Sequence, residues 1–181
     1  MNFLSQTNLC IHKEYLRRLK LRFSIFEKSY PELVGKKASE ILKLPLQKSE
    51  RDSAFRLKCE ILAHEVYFSS FENSQVASAV VKQQFGSEAE LLYRLYEEGI
   101  DSDGFLLLYI GQRGRIEYYA GGDYFFVIEK CVPLLAVDLC EHAYFYDFLF
   151  DKRKYLQLAL SNFALFRLAN INKGIEKYQN W

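Results

Sequence analysis

The spacing of apolar residues changes near Gly99, and this change most constrains the fold that the chain can adopt. Before Gly99, apolar side chains recur every three or four residues, which predicts amphipathic α-helices. After it, the runs GFLLLYI, RIEYYAG and VPLLAVD predict a small antiparallel sheet. The helical pattern returns from Glu141 onward. The chain is therefore expected to have an α+β fold.

The N-terminal part predicts two long helices, over about residues 5–35 and 51–71. A polar connector with Gly35 and Pro45 as helix breakers separates them. Two long helices joined by a modest loop favour an antiparallel helical hairpin.

The remaining helices follow from local start and stop signals. Two shorter helices are expected, one before Gly86 and one after it. The pattern from Glu141 predicts one further helix that stops near Gly174. We therefore expect a helical hairpin lobe over residues 1–73 and an α/β lobe with a three-stranded sheet over residues 74–181.

Composition and charge predict a folded globular protein and give no indication of binding to nucleic acid or to a membrane. Half of the 181 residues are apolar and 16% are aromatic, so a folded globular protein is expected. A net charge of +1 gives no indication of nucleic acid or a charged membrane surface. No apolar run approaches the ~20 residues of a membrane helix, and the N-terminus lacks the features of a signal peptide. With four cysteines and no CxxC spacing, we expect reduced thiols in a cytoplasmic protein.

The chain contains only three histidines, His12, His64 and His142. Asp138 ends an apolar strand and stands four residues before His142, where a strand–helix corner can bring both side chains together. Three imidazoles and one carboxylate form a ligand set for iron or manganese with a position open for solvent. Two alternatives remain at this point, in which His64 is a hydrogen-bonded core residue and Asp138 is a helix N-cap.

Four stretches resemble the iron/manganese superoxide dismutases. AVDLCEHAYFYDF is similar to their C-terminal motif, in which Asp, Trp and then Glu-His-Ala-Tyr precede an aromatic helix. CEILAHEVYFSSF and LSQTNLCIHKEYL resemble the two helical segments that each carry a ligand histidine, and DSDGFLLLYI resembles a strand of the sheet. The resemblance implies one iron or manganese ion per subunit, held by His12, His64, Asp138 and His142, with superoxide as substrate.

The resemblance also implies a homodimer. In the family, the glutamate of the Glu-His-Ala-Tyr motif reaches across a two-fold interface to the ligand histidine of the partner subunit. Glu141 and His142 preserve this pair, so a homodimer formed through them is expected.

The residues around the ligand positions depart from the family pattern. Leu16 and Lys20 replace a histidine and a tyrosine that guard the substrate channel, and Glu60 replaces the glutamine of the iron-type enzymes. Cys140 and Phe105 each replace a tryptophan. The glutamine whose position distinguishes iron from manganese enzymes is missing from both of its places, so the metal stays undetermined.

Lys20 and Glu60 are the residues predicted to assist catalysis. One hypothesis pairs them in a salt bridge that replaces the family's amide–phenol hydrogen bond. The alternative leaves both solvated in a wider channel. Glu60 would add negative charge next to the bound solvent and stabilise the oxidised metal, whereas Lys20 would attract the superoxide anion.

Three functional hypotheses follow. The first is a superoxide dismutase. The second keeps the fold and the metal but uses Glu60 as an extra carboxylate in different oxygen or peroxide chemistry. The third is a non-catalytic, dismutase-like protein, which is the weakest because such a protein has no physical need for all four ligands.

Overall fold

The computed structural model describes residues 3–70 and 79–162 and confirms the α+β class, with helices around a three-stranded antiparallel sheet. The helices are α1 (Gln6–Ser29), α2 (Ala38–Ile41), α3 (Lys48–Ser69), α4 (Ala79–Phe85), α5 (Glu88–Ile100), α6 (Phe125–Lys130), α7 (Glu141–Phe148) and α8 (Lys152–Asn162). The strands are β1 (Phe105–Ile110), β2 (Ile116–Gly121) and β3 (Val132–Asp138). A single 3-10 turn, Pro31–Leu33, follows α1.

The central strand of the sheet is β1, which pairs antiparallel with β2 on one side and β3 on the other. All six residues of β1 are buried, as expected for a strand covered on both faces. Phe105 at the start of β1 lies opposite Asp138 at the end of β3. This register brings the last residue of β3 to the edge of the core.

Helix α1 begins at a well-formed cap and presents one buried face. The Ser5 hydroxyl accepts a hydrogen bond from the backbone N–H of Asn8 at 3.1 Å, which satisfies a free donor of the first turn. The buried residues of α1 recur at helical spacing and are Asn8, His12, Leu19 and Phe23. His12 therefore points inward with the apolar residues of its helix.

Helix α3 packs against α1 and against β3. Its C-terminal end is tied to the sheet, because the backbone N–H of Ala136 donates to the Ser70 hydroxyl at 3.0 Å. His64 lies completely buried on α3. The contact with β3 brings this histidine close to the strand that ends in Asp138.

Most expected elements are present, but the prediction of one continuous helix after Glu141 is wrong, because the structure has two helices, α7 and α8, in this region. The helical pattern breaks at Leu149, whose φ of 51° leaves the right-handed helical region. A new helix starts because Oδ1 of Asp151 accepts a hydrogen bond from the backbone N–H of Lys154 at 3.0 Å. The expected stop at Gly174 lies outside the described residues.

Two short helices were not expected, and one helix is shorter than predicted. The segment between β2 and β3 contains α6, and the polar connector contains α2. Helix α1 ends at Ser29 because Pro31 lacks the N–H that would continue it. The predicted boundary between residues 73 and 74 lies outside the described residues. No helix in the described ranges is sufficiently long and apolar to span a bilayer.

Candidate metal centre

Four side chains from four different elements meet at one point. His12 comes from α1, His64 from α3, Asp138 from the end of β3 and His142 from α7. One nitrogen or oxygen atom of each lies within 4.8 Å of the corresponding atom of every other. These are the four residues that the sequence singled out as candidate metal ligands.

Oδ2 of Asp138 is the atom that the three imidazoles share. It lies 3.1 Å from Nε2 of His12, 3.3 Å from Nε2 of His64 and 2.8 Å from Nε2 of His142. His12, His64 and Asp138 are buried, whereas the side chain of His142 is 26% exposed. The cluster is therefore reached from solvent on the side of His142.

The backbone around the cluster fixes the orientation of its side chains. Nδ1 of His64 lies 2.7 Å from the backbone carbonyl oxygen of Glu60, which accepts a hydrogen bond from the Nδ1–H tautomer. That tautomer leaves the Nε2 lone pair free toward Asp138. His64 is thus more than a core residue, because one nitrogen is anchored and the other faces the shared oxygen.

The corner between β3 and α7 orients Asp138. The backbone N–H of Cys140 donates to Oδ1 at 2.9 Å, and the buried hydroxyl of Tyr155 donates to the backbone carbonyl of Asp138 at 2.8 Å. The N-cap of α7 is Cys140, so the alternative that Asp138 serves as the helix N-cap is wrong. With Oδ1 engaged by the backbone, Oδ2 is the oxygen directed at the histidines.

The electrostatics of the cluster favour an ionised Asp138 and a neutral His12, the forms in which these two side chains can bind a metal. Burial, the largest influence, would raise the pKa of Asp138, but its close polar contacts with the three imidazoles hold that pKa well below its usual range. Burial lowers the pKa of His12 despite the attraction of Asp138. For His64, burial is opposed by Asp138 and Glu60, and the net effect raises its pKa.

Two atoms at the centre of the cluster lack a hydrogen-bond partner within the described part of the chain. Oδ2 of Asp138 and Nε2 of His12 are both buried and make no hydrogen bond, although they lie 3.1 Å apart. A buried polar atom without a partner carries a substantial desolvation cost. A cation bound between them would remove that cost, so the donor set fits a divalent or trivalent transition metal of the iron or manganese type.

The predicted salt bridge between Lys20 and Glu60 is wrong. Nζ of Lys20 lies 2.7 Å from Oε1 of Glu65, and both side chains are about half exposed. Lys20 stands eight residues after His12, which rotates it about 80° around α1 from the buried face. Glu60 instead accepts a hydrogen bond at 2.7 Å from the hydroxyl of Tyr15.

Tyr15 is the functional candidate that the sequence reasoning missed. It stands three residues after His12, so it shares a side of α1 with that histidine. Its ring stacks on His142 with 4.1 Å between centroids and an interplanar angle of 23°. Burial, helped by Glu60, raises its pKa, so the phenol keeps its proton at neutral pH. The helical spacing to His12 was the available signal.

A surface cavity of about 430 Å³ opens beside Tyr15 and the exposed edge of His142. Its remaining lining residues are Cys10, Ile11, Glu14 and Arg18. Arg18 is paired with Glu14 at 3.1 Å, which offsets its charge at the rim. This cavity offers a route for a small anion to the exposed side of the cluster.

Other residues near the motif have structural contacts. The ring of Tyr144 stacks on Tyr155 with 4.9 Å between centroids. Burial raises the pKa of the Cys140 thiol to about 12, so it is protonated at neutral pH and behaves as a small apolar group. Glu141 is exposed at the start of α7.

Comparison with known proteins adds one match. Residues 72–168, more than half of the chain, match the family model described as the C-terminal domain of iron/manganese superoxide dismutases. The matched range contains the whole sheet, Asp138 and His142. No curated protein matches the chain.

Proposed function

Because the chain belongs to the iron/manganese superoxide dismutase family, we propose that it converts superoxide to oxygen and hydrogen peroxide. The ligands would be His12, His64, Asp138 and His142, with one iron or manganese ion per subunit. The observation that carries the proposal is the buried Oδ2 of Asp138, which lies within 3.3 Å of three imidazole nitrogens.

When bound, a redox-active iron or manganese ion supplies an electron carrier between one superoxide anion and the next. The chain's own residues prepare the site for it. Asp138 contributes the only carboxylate of the cluster and stays ionised, while the carbonyl oxygen of Glu60 keeps Nε2 of His64 directed inward. Burial of three of the four side chains excludes bulk water and large reductants.

The approach of the anion would follow the cavity beside His142, whose side chain is the most exposed of the four. Tyr15 lines this opening, and its hydroxyl is held by Glu60. In this proposal Glu60 acts through Tyr15. Lys20 contributes only to the surface potential, because Glu65 already neutralises it.

We also propose the two-lobe arrangement and the homodimer expected from the sequence. His12 and His64 would belong to the lobe over residues 1–73, and Asp138 and His142 to the lobe over residues 74–181. Glu141 is exposed and can reach a second subunit, and several exposed apolar side chains lie near it in sequence, namely Phe145, Tyr146, Leu149 and Phe150.

The other two hypotheses receive less support. Glu60 is not part of the four-residue cluster, and one of its carboxylate oxygens is engaged by Tyr15, which disfavours its use as an extra metal ligand. A non-catalytic protein would have no need for all four side chains to meet at one buried point, because burying an ionised carboxylate is costly.

The proposal is tested by the rate of superoxide decay in stopped-flow experiments with protein loaded separately with iron and with manganese. We expect catalysed decay with one of the metals, and loss of that decay in Asp138→Ala. Glu97→Ala is the matched control, because it removes an exposed carboxylate from α5, a helix that carries none of the four cluster residues. A fully metallated protein that decays superoxide no faster than buffer would contradict the proposal.

A further inference from the structure

A tyrosine–glutamate hydrogen bond borders the cluster and belongs to none of the four candidate ligands. The hydroxyl of Tyr15 donates to Oε1 of Glu60 at 2.7 Å. The two residues come from α1 and α3, the helices that also carry His12 and His64. This pair therefore joins the same two helices that supply half of the cluster.

Glu60 lies on the same helix as His64, one of the four candidate ligands, and carries a carboxylate that could bind a metal. It precedes His64 by four residues, so both side chains project from the same face of α3. Its backbone carbonyl already accepts the Nδ1–H of His64. A carboxylate is also among the preferred ligands of iron and manganese.

Tyr15 holds that carboxylate from a fixed position. Its ring is stacked on His142 at 4.1 Å and also lies 5.3 Å from the ring of His64, measured between centroids. Because the Tyr15 ring is packed against two histidines of the cluster, it has little freedom to move with the Glu60 carboxylate. Rotation of Glu60 toward the cluster would therefore break the hydrogen bond to Tyr15.

We propose that Tyr15 is a positioning residue that holds the Glu60 carboxylate out of the metal's coordination sphere and so keeps one coordination position open for the substrate anion. This inference rests on the proposed function, because it assumes a metal bound by the four residues. Loss of the Tyr15 hydroxyl frees Glu60 to become a fifth protein ligand. The hydrogen bond between Tyr15 and Glu60 would thus decide whether the metal site stays open to a substrate anion or is closed by an additional carboxylate ligand.

The test uses the iron-loaded full-length protein and compares wild type with Tyr15→Phe. In the ferric state we expect Tyr15→Phe to shift the absorption and electron paramagnetic resonance spectra. We also expect it to lose the binding of azide, a small anion that needs an open coordination position. Both changes should disappear in Tyr15→Phe/Glu60→Gln, because an amide is a much poorer ligand for ferric iron than a carboxylate.

A matched control lies on the same pair of helices. The hydroxyl of Tyr30, at the end of α1, donates to Oε1 of Glu50 on α3 at 2.6 Å. Tyr30→Phe removes a hydrogen bond of the same type without touching the cluster. It should leave both the ferric spectrum and azide binding unchanged, which separates an effect on the metal from a general loss of stability.

The outcomes distinguish this inference from the proposed function. If wild type binds iron and Tyr15→Phe keeps the wild-type spectrum and azide affinity, the positioning role is wrong while the metal site stands. If Tyr15→Phe changes the spectrum and the added Glu60→Gln does not restore it, Tyr15 acts on the site in another way and the inference also fails. If wild type binds no iron or manganese, both are overturned.

Discussion

Oδ2 of Asp138 lies 3.1 Å from Nε2 of His12, and both side chains are completely buried. The carboxylate comes from the end of β3 and the imidazole from the first helix, so this contact joins segments 126 residues apart in sequence. Neither atom makes a hydrogen bond within the described residues. A metal ion between them would convert an unfavourable burial into a crosslink between the helices and the sheet.

Replacement of His64 by alanine should remove metal binding and the stability that depends on it. A ligand that binds only the folded state adds about 2.7 kcal/mol to the free energy of unfolding at a free concentration of 100 times Kd. We therefore expect metal to raise the melting temperature of wild type but not that of His64→Ala. Metal content and thermal melting check this, with Glu65→Ala as the exposed neighbour that should behave like wild type.

If His64→Ala retained one metal per chain and the same metal-dependent increase in melting temperature, the assignment of His64 as a ligand would be wrong.

The hydroxyl of Tyr155 should stabilise the metal site by holding the backbone of Asp138 in place. It is buried and donates to the backbone carbonyl of Asp138 at 2.8 Å. Tyr155→Phe leaves that carbonyl without its partner, which should cost about 1–3 kcal/mol in the free energy of unfolding. Because the backbone of a ligand would be less restrained, metal affinity should fall about tenfold. Urea unfolding and metal titration measure the two effects.

Tyr146→Phe is the control for that change, since the Tyr146 side chain is 58% exposed. Equal stability of the two variants would show that the hydrogen bond to Asp138 contributes little.

Gly104 should tolerate no side chain, because the turn before β1 is closely packed. Its φ is +83°, and a Cβ at this position would lie 2.5 Å from the backbone oxygen of Gly121. Gly114 has a φ of +68° but no atom within 4 Å of such a Cβ. Both Gly→Ala variants should lose about 1–2 kcal/mol from backbone strain. Gly104→Ala should lose additional stability from the clash.

Chemical unfolding of the two variants measures this difference. If Gly104→Ala and Gly114→Ala had the same free energy of unfolding, the backbone at Gly121, the last residue of β2, would have to move away from the turn at little cost.

The four cysteines are free thiols, as expected from their spacing, and they should differ strongly in reactivity. Burial raises the pKa of Cys59 and of Cys140 to about 12 in each case, and it also raises that of Cys131. At pH 8 these three are therefore protonated and unreactive, whereas Cys10 is exposed.

A thiol reagent should label one cysteine rapidly in the native protein and all four after denaturation. Rapid labelling of Cys59 or Cys140 in the native state would contradict the described packing. A total below four in denaturant without reductant would reveal a disulfide.

The sequence was sufficient to predict the α+β class, and the resemblance of its motifs to the dismutase family implied that the four cluster residues converge. His12 and His64 each stand on a helix whose buried face is readable from its apolar spacing, and Asp138 ends an apolar strand. The position of each side chain was therefore set by a local pattern. Pairing between elements then brought the four together, and their role as metal ligands stays a proposal.

The surroundings of the cluster were harder to predict, because they depend on the rotation of one helix against another. One of the two hypotheses from the sequence paired Lys20 with Glu60. Tyr15 takes that position instead, since it is nearer to the buried face of α1 than Lys20. The break between α7 and α8 depends on Leu149 and on the cap at Asp151. No Gly or Pro in residues 141–162 marks this break in the sequence.

The most direct test of the metal site is anomalous X-ray diffraction from crystals of the metal-loaded protein, measured on both sides of the iron and manganese absorption edges. We predict one anomalous peak per chain, within bonding distance of Oδ2 of Asp138 and of Nε2 of His12, His64 and His142. A crystal of protein that carries one metal per chain but shows no peak between these four atoms would contradict the assignment.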